Sequence, residues 1–550
     1  MNGVYSRRVK LALLATGILA AAGCGGGTSD NPGRGGTVVI STGGDADYLF
    51  PPLHSQLQAQ VVTDMLYEKL ADIGPELNTL GDVGRQPRLA DRWEWATDSM
   101  SVTFHLNPRA RWHDDTPVRA SDVRFAYNLY TSPKLQSSRG NDIRGVVDSI
   151  TVADSLTCTA WFRNKTIERF HILTYNLKPL PEHILSSVLP ESLATSPVIR
   201  QPIGNGPFRF VRWDQRQRIE LAANDSFYRG RPSLDRVIWS IAADPNVAIQ
   251  RVMTGEADFF ERIGTDEINA AATKPNLKTI DAGPVGYGYI AFNLFDGDSN
   301  RPHPIFASRE LRRALAMAVD RPSLVANVFD SLGRVSYGPF IRLQWSADTT
   351  LTQIPFNREA AARTLDSLGW RLGADGVREK AGRKLEFSLI SPLSSIPRQR
   401  TAVVLQEQWR LIGVKVNAEV LENATWGAQM RSKRFDATMM SLNADPSPNG
   451  IRQWWTSAGA ALPAGNNGRY LNPFVDKTLE AAVSASNIDS GRAHYRTAYQ
   501  TLVNDAPAIW IFEPRIKALA NKRLNTGTLP ADAWWMSIPS WTVSSNTGAR

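Results

Sequence analysis

Cysteine is almost absent from this 550-residue chain, which carries only Cys24 and Cys158. A disulfide framework is therefore not expected. Cys158 lies in Ser155-Leu156-Thr157-Cys158-Thr159-Ala160-Trp161-Phe162, which reads as a strand with a buried structural thiol rather than a nucleophile. Long apolar runs are equally scarce: beyond the first 23 residues none approaches the roughly 20 needed to cross a bilayer, so the body of the chain is expected to be soluble. A basic stripe is missing too. The 62 Lys and Arg are scattered among 53 acids, and a formal charge of +9 spread this way excludes the footprint of a nucleic-acid binder. The chain has no Gly-x-Ser-x-Gly elbow, phosphate loop or His-Glu-x-x-His, so no enzyme, catalytic residue or cofactor is expected. Asp296-Gly297-Asp298-Ser299-Asn300 starts like a calcium loop but has Ala307 where the closing Glu belongs, and His105 and His113 have no third ligand at a metal spacing; no metal site is expected.

The one apolar stretch that is present, Leu11 to Ala22, follows Arg7, Arg8 and Lys10 and ends at Gly23-Cys24-Gly25-Gly26-Gly27. A basic start, a short apolar run and small residues before a cysteine read as a cleaved lipoprotein export signal over residues 1–23. The mature chain then begins at lipidated Cys24, with 24–36 as a flexible tether to the outer face of the cell membrane. Losing the three positive charges of the leader leaves +6, mild for a chain of this length.

Strand and helix signals alternate throughout without a fixed repeat. Gly36 to Thr42 is β-branched, and Val102 to Leu106 alternates apolar and polar side chains, so both read as strands. Ser121 to Leu129 switches to four-residue spacing with Ser121 as the expected cap; Ser308 to Val319 and Thr401 to Ile412 are further helices, the last stopped by Gly413 before a strand from Val414 to Val420. About 520 residues should form two or three domains interleaved in sequence.

Several blocks carry a resemblance. Leu89-Ala90-Asp91-Arg92-Trp93 through Arg111-Trp112-His113-Asp114-Asp115-Thr116-Pro117-Val118 to Val123 resembles the signature of family 5 extracellular solute-binding proteins, with Asp115 where relatives usually carry Gly. Ile203-Gly204-Asn205-Gly206-Pro207-Phe208 with Asn224-Asp225-Ser226-Phe227-Tyr228, Phe292-Asn293 leading to Arg309-Glu310-Leu311-Arg312, Leu368-Gly369-Trp370, Gln408-Trp409 with Ile412-Gly413-Val414, and Asp445-Pro446 follow in the family's order. The resemblance implies an α/β periplasmic-binding-protein clamp of class II type, cluster C. Its lobe I would take 37–77, 201–298 and 509–550, with an extra domain at 78–200; lobe II would take 299–508. Hinge crossings would fall near Asn293 to Asn300 and Asp505 to Glu513. Implied partners are a solute held between the lobes, most readily a peptide, together with ABC permease and ATPase subunits; a monomer is expected. An oligosaccharide or a metal chelate such as nickel is the alternative solute, and an exported hydrolase or chaperone-like protein is a remoter alternative.

Candidate ligand contacts follow from the same resemblance. Asp45, Asp47 and Tyr48 follow the first strand; Met440, Leu442, Asn443 and Asp445 lie where relatives pair with peptide; Trp454 is a candidate stacking wall, and Trp510 and Phe512 replace cleft tyrosines. Leu442 stands where peptide-binding relatives hold the ligand's amine with an Asp. A desolvated ammonium without a counter-charge is costly, so a free-amine peptide is not expected unless Asp445, Asp47 or Asp45 substitutes.

Overall fold

The computed structural model describes residues 35–544 apart from 136, 284–285, 444 and 463–464; Cys24, the export segment and most of the tether lie outside the described residues. The β-branched run Thr37–Thr42 forms a strand as expected, at the centre of a seven-stranded sheet. It runs parallel to Arg236–Ile241, Thr37 facing Arg236 and Thr42 facing Ile241, and touches Phe259–Ile263 on its other side at Ile40. Arg218–Ala223 and Phe208–Asp214 continue one edge, while Lys517–Asn521 and Leu277–Asp281 complete the other.

A second sheet of six strands runs in the order Gly333–Val335, Ala508–Pro514, Gly286–Phe292, Ala437–Asn443, Glu386–Pro392, Lys415–Leu421. Its helices follow their sequence signals. Ser308 caps Arg309–Met317 by accepting from the Leu311 N–H at 3.3 Å. The helix expected from Thr401 begins earlier, at Ile396–Arg410 with Pro397 in its first turn, and Gly413 at φ +79° ends it as the signal requires.

Inserted within the first lobe's sequence, Ala90–Trp95, Ser101–Leu106, Thr157–Phe162 and Val147–Val152 make a four-stranded antiparallel sheet covered by helix Ala120–Tyr130. The expected cap Ser121 is inside that helix. Arg119 is the cap residue, its N–H donating 2.8 Å to the Asp122 carboxylate, which also accepts from the indole of Trp112. Cys158 is buried on its strand, and desolvation pushes its thiol up to about 12. This sheet shares one continuous apolar core with the seven-stranded sheet, from Phe104 and Phe170 to Trp239 and Trp541.

The chain passes between the two large sheets at places the sequence misjudged. Gly286–Phe292 pairs with Ala437–Asn443 and Ala508–Pro514, so it belongs to the second lobe, and the first crossing falls between Asp281 and Gly286 rather than at 298–299. The return crossing falls between Pro514 and Lys517 rather than at 508–509. Asn293 to Asn300, expected to be hinge, is tied inside the second lobe, where the Arg469 guanidinium donates to the Asn293 side chain and to the carbonyl of Ser299. Backbone pairing, not the motif blocks, sets the boundary. No helix among the described residues is long and apolar enough to cross a membrane.

Candidate binding cleft between the lobes

The two crossing strands touch: the Ala282 N–H donates 2.9 Å to the Ile516 carbonyl. Gly283 beside them has φ +77°, and a Cβ there would come within 2.6 Å of the Ala531 Cα, so only glycine fits. Above this junction lies a cavity of about 190 Å3. The first lobe contributes Leu57 and Gln60 from helix Leu57–Leu66, Glu261 and Arg262 from a strand end, and Asp532, Trp534 and Trp535 from the C-terminal return; Tyr175 comes from the inserted domain, and Asp445 and Pro446 from the second lobe.

Asp445 follows the strand Ala437–Asn443. Its Oδ1 accepts from the Ser447 N–H at 2.7 Å and stands 3.6 Å from Nε2 of His171. Burial disfavours its charge, but His171, the Ser447 N–H and the Arg139 guanidinium together hold the carboxyl below its ordinary value. Nδ1 of His171 lies 3.1 Å from an Arg85 guanidinium nitrogen; arginine can only donate, so Nδ1 accepts and Nε2 carries the hydrogen that faces Asp445. One turn earlier Glu168 accepts from the second lobe, from the Trp345 indole at 3.0 Å and the Ser447 hydroxyl at 2.9 Å. Burial pushes the Glu168 carboxyl up. Gln344 completes the seat by donating to the carbonyls of Asp445 and Ser447. The inserted domain therefore grips the loop that carries Asp445.

The first-lobe floor is an ion-pair layer. Asp64 accepts from Lys178 and, at 2.7 Å, from the indole of Trp535. Burial disfavours its charge, yet Lys178 and Lys69 hold the carboxyl well below the usual range, while Lys178 itself is lowered by burial to about 8. Lys69 pairs with Asp72 and sits 5.0 Å over the Tyr175 ring. The layer fixes Trp535 and Tyr175, both cavity walls.

Of the residues singled out from sequence, Asp445 alone is brought to this cavity. Asp45 is occupied by the Trp213 indole and the Arg216 N–H, and Asp47 by the N–H and hydroxyl of Ser55; both acids close the turn after the first strand, and Tyr48 packs on the adjoining core. Met440 and Leu442, 6 % and 9 % exposed, lie in the core of the second lobe opposite Tyr289 and Tyr287. The alignment-like placement of Leu442 at an amine site is thus corrected: its side chain fills apolar core. Asn443 pairs with Gly286, and its side chain lies outside the described residues. Trp454 and Trp510 pack in that same core, Trp510 against Trp455 at 5.2 Å. Phe512 points to the opposite face, against Phe329 at 4.1 Å, because a bulge between Gly288 and Tyr289 inserts Ile511 and reverses the alternation. The sequence reading missed Gln60, Tyr175, His171, Glu168 and Asp532. Trp534-Trp535 offered a visible signal, an aromatic doublet near the C-terminus.

A description of bacterial extracellular solute-binding proteins, family 5, middle region, matches residues 85–461. The oligopeptide-binding protein AppA of Bacillus subtilis is 28% identical over 530 residues, covering 92% of this chain and 94% of its own length. The structure of AppA from Bacillus subtilis in complex with a nonapeptide superposes with TM-score 0.81 at 25% identity over 94% of this chain and 100% of that one. That of NikZ from Campylobacter jejuni in complex with Ni(L-His) gives TM-score 0.82 at 23% identity over 92% of this chain and 99% of that one.

Proposed function

Because this chain belongs to the bacterial extracellular solute-binding proteins of family 5, we propose that it captures a short peptide between its lobes and delivers it to the permease and ATPase subunits of an ABC importer. The family is one of binding proteins outside the cytoplasm, not of enzymes. The observation that carries the reading is the cavity over two adjoining crossings, with a carboxylate from the opposing lobe, Asp445, in its wall. An ionised acid in a partly buried wall is a counter-charge for a ligand's amine, the substitution by Asp445 that the sequence left open. The relative whose name and structure concern peptide supports peptide over a sugar or chelate. At about 190 Å3 the cavity is below the roughly 300–1,000 Å3 of drug-sized sites, which supports a short ligand. Native mass spectrometry of the protein as purified from its own cells should show one bound mass equal to a di- to tetrapeptide; a sugar or metal-chelate mass would overturn the peptide reading.

The same proposal places the protein at the membrane surface as a monomer, anchored through Cys24. The support is the sequence Ala22-Gly23-Cys24 after a basic and apolar leader. Metabolic labelling with a fatty-acid analogue should tag the wild type and not Cys24→Ser; equal labelling of both would refute the anchor.

A further inference from the structure

We propose that Asp532 is a second ligand-holding carboxylate, and that the cavity takes its ligand through one primary ammonium placed between Asp532 and Asp445. The inference rests on the solute-binding reading of the cavity and goes beyond it by assigning an anchor on the C-terminal return.

Asp532 differs from its acidic neighbours in having nothing to hold. Asp64 is bonded by Lys178 and Trp535, Asp72 by Lys69 and Arg88, Glu68 by Tyr228 and Arg229, and Glu261 by the Trp534 indole. Among the described residues no other residue donates a hydrogen bond to the Asp532 carboxylate, although it lines the cavity. Lys69 is close enough to feel its charge, but the Lys69 ammonium is committed to Asp72 at 3.4 Å. Burial raises the Asp532 carboxyl above its ordinary value, as expected of a desolvated acid short of donors.

Asp445 faces the same cavity from the other lobe. Behind it, His171 is 2 % exposed and its Nε2 has no partner within hydrogen-bond distance, the nearest acceptor being Asp445 at 3.6 Å. Closing the lobes brings two carboxylates toward one desolvated space, where like charges repel far more strongly than in water. An ammonium has three donors and no acceptor. Set between the two acids, it converts the repulsion that opposes closure into two charge-assisted hydrogen bonds that favour it. Specificity and closure then come from the same pair. The indole N–H groups of Trp534 and Trp535 are already bonded to Glu261 and Asp64, leaving ring carbon for the organic part of the ligand. The one basic residue in the wall, Arg262, is exposed.

Calorimetry with trialanine, N-acetyl-trialanine, putrescine and 1,4-butanediol tests this on the wild type, Asp532→Asn, Asp532→Glu and Asp445→Asn. Trialanine should bind the wild type at least tenfold more tightly than its acetylated form. Asp532→Asn should weaken trialanine about tenfold and leave N-acetyl-trialanine unchanged, while Asp532→Glu, which keeps the charge, retains the free-amine preference and controls for folding. Equal weakening of both peptides by Asp532→Asn, or of neither, overturns the assignment. If neither peptide binds but putrescine does, and does so less well in Asp532→Asn, the peptide reading fails while the ammonium site stands. Binding of no ammonium compound, or of butanediol as tightly as putrescine, overturns the ammonium site.

Discussion

His113 shows how single residues in the sequence blocks earn their place. Its Nδ1 accepts from the Gly204 N–H at 3.1 Å, its Nε2 meets the Gly206 carbonyl at 3.1 Å, and its own carbonyl accepts from Arg209. The two most legible blocks, Arg111 to Val118 and Ile203 to Phe208, are therefore one joint between the inserted domain and the first lobe. Gly204 lies so close to the Leu66 carbonyl that a Cβ would approach to 1.9 Å, and Asp115 takes the left-handed turn at φ +68°. The imidazole must be neutral to accept at Nδ1, and burial lowers it to about 4. Because the folded value lies below the unfolded one, the stabilisation is complete above pH 6.5 and is lost as pH falls toward 4. The shift corresponds to about 3 kcal/mol at most. Urea unfolding at pH 7.5 and 4.5 should show the wild type losing about 2 kcal/mol more than His113→Gln across that interval.

At the scale of elements, the start of helix Arg169–Asn176 is the inserted domain's reach across the cleft. Glu168 and His171, one turn apart, meet Ser447 and Asp445, two residues apart on one loop. The Ile167 N–H adds a bond to the Ala485 carbonyl at 3.1 Å. The Glu168 carboxylate accepts from the Thr79 hydroxyl as well as from Trp345 and Ser447, and removing it leaves a buried indole N–H without an acceptor. Glu168→Ala, which removes the acceptor, should weaken ligand binding about tenfold, or 1.4 kcal/mol, by calorimetry. Its melting temperature should stay within a few degrees of wild type, because the loss falls on contacts made between lobes. Undiminished affinity would show that the helix end is only packing.

For the whole molecule, two passages of chain joined by the Ala282–Ile516 bond leave the lobes free to rotate about a narrow neck. Contacts across the cleft among the described residues are mostly polar and include Glu168 to Trp345 and Ser447, His171 to Asp445, the Ile167 N–H to the Ala485 carbonyl, and Arg400 to Asp266 at 3.2 Å. Such an interface is readily opened. Small-angle scattering should give a smaller radius of gyration at saturating trialanine than without it; superimposable curves would argue against a clamp that closes on its ligand.

The sequence by itself determined the family, the strand and helix types and the strand burial of Cys158, because periodicity and capping are local properties of a chain. It named Asp445, which the structure brings to the cavity wall, for the same reason: that residue stands inside a recognisable block. Only the tertiary structure decided which strand of 286–292 or 508–514 joins which sheet, since both are apolar enough for either. It also decided the cavity, whose walls come from segments as far apart as Leu57, Tyr175, Glu261, Asp445 and Asp532. No short-range pattern links such distant segments, and a one-residue bulge sends Phe512 away from Trp510 despite their even spacing. Asp532 is one acid among 53 in the chain; what distinguishes it is that no other described residue donates to it, a fact of its neighbours in space.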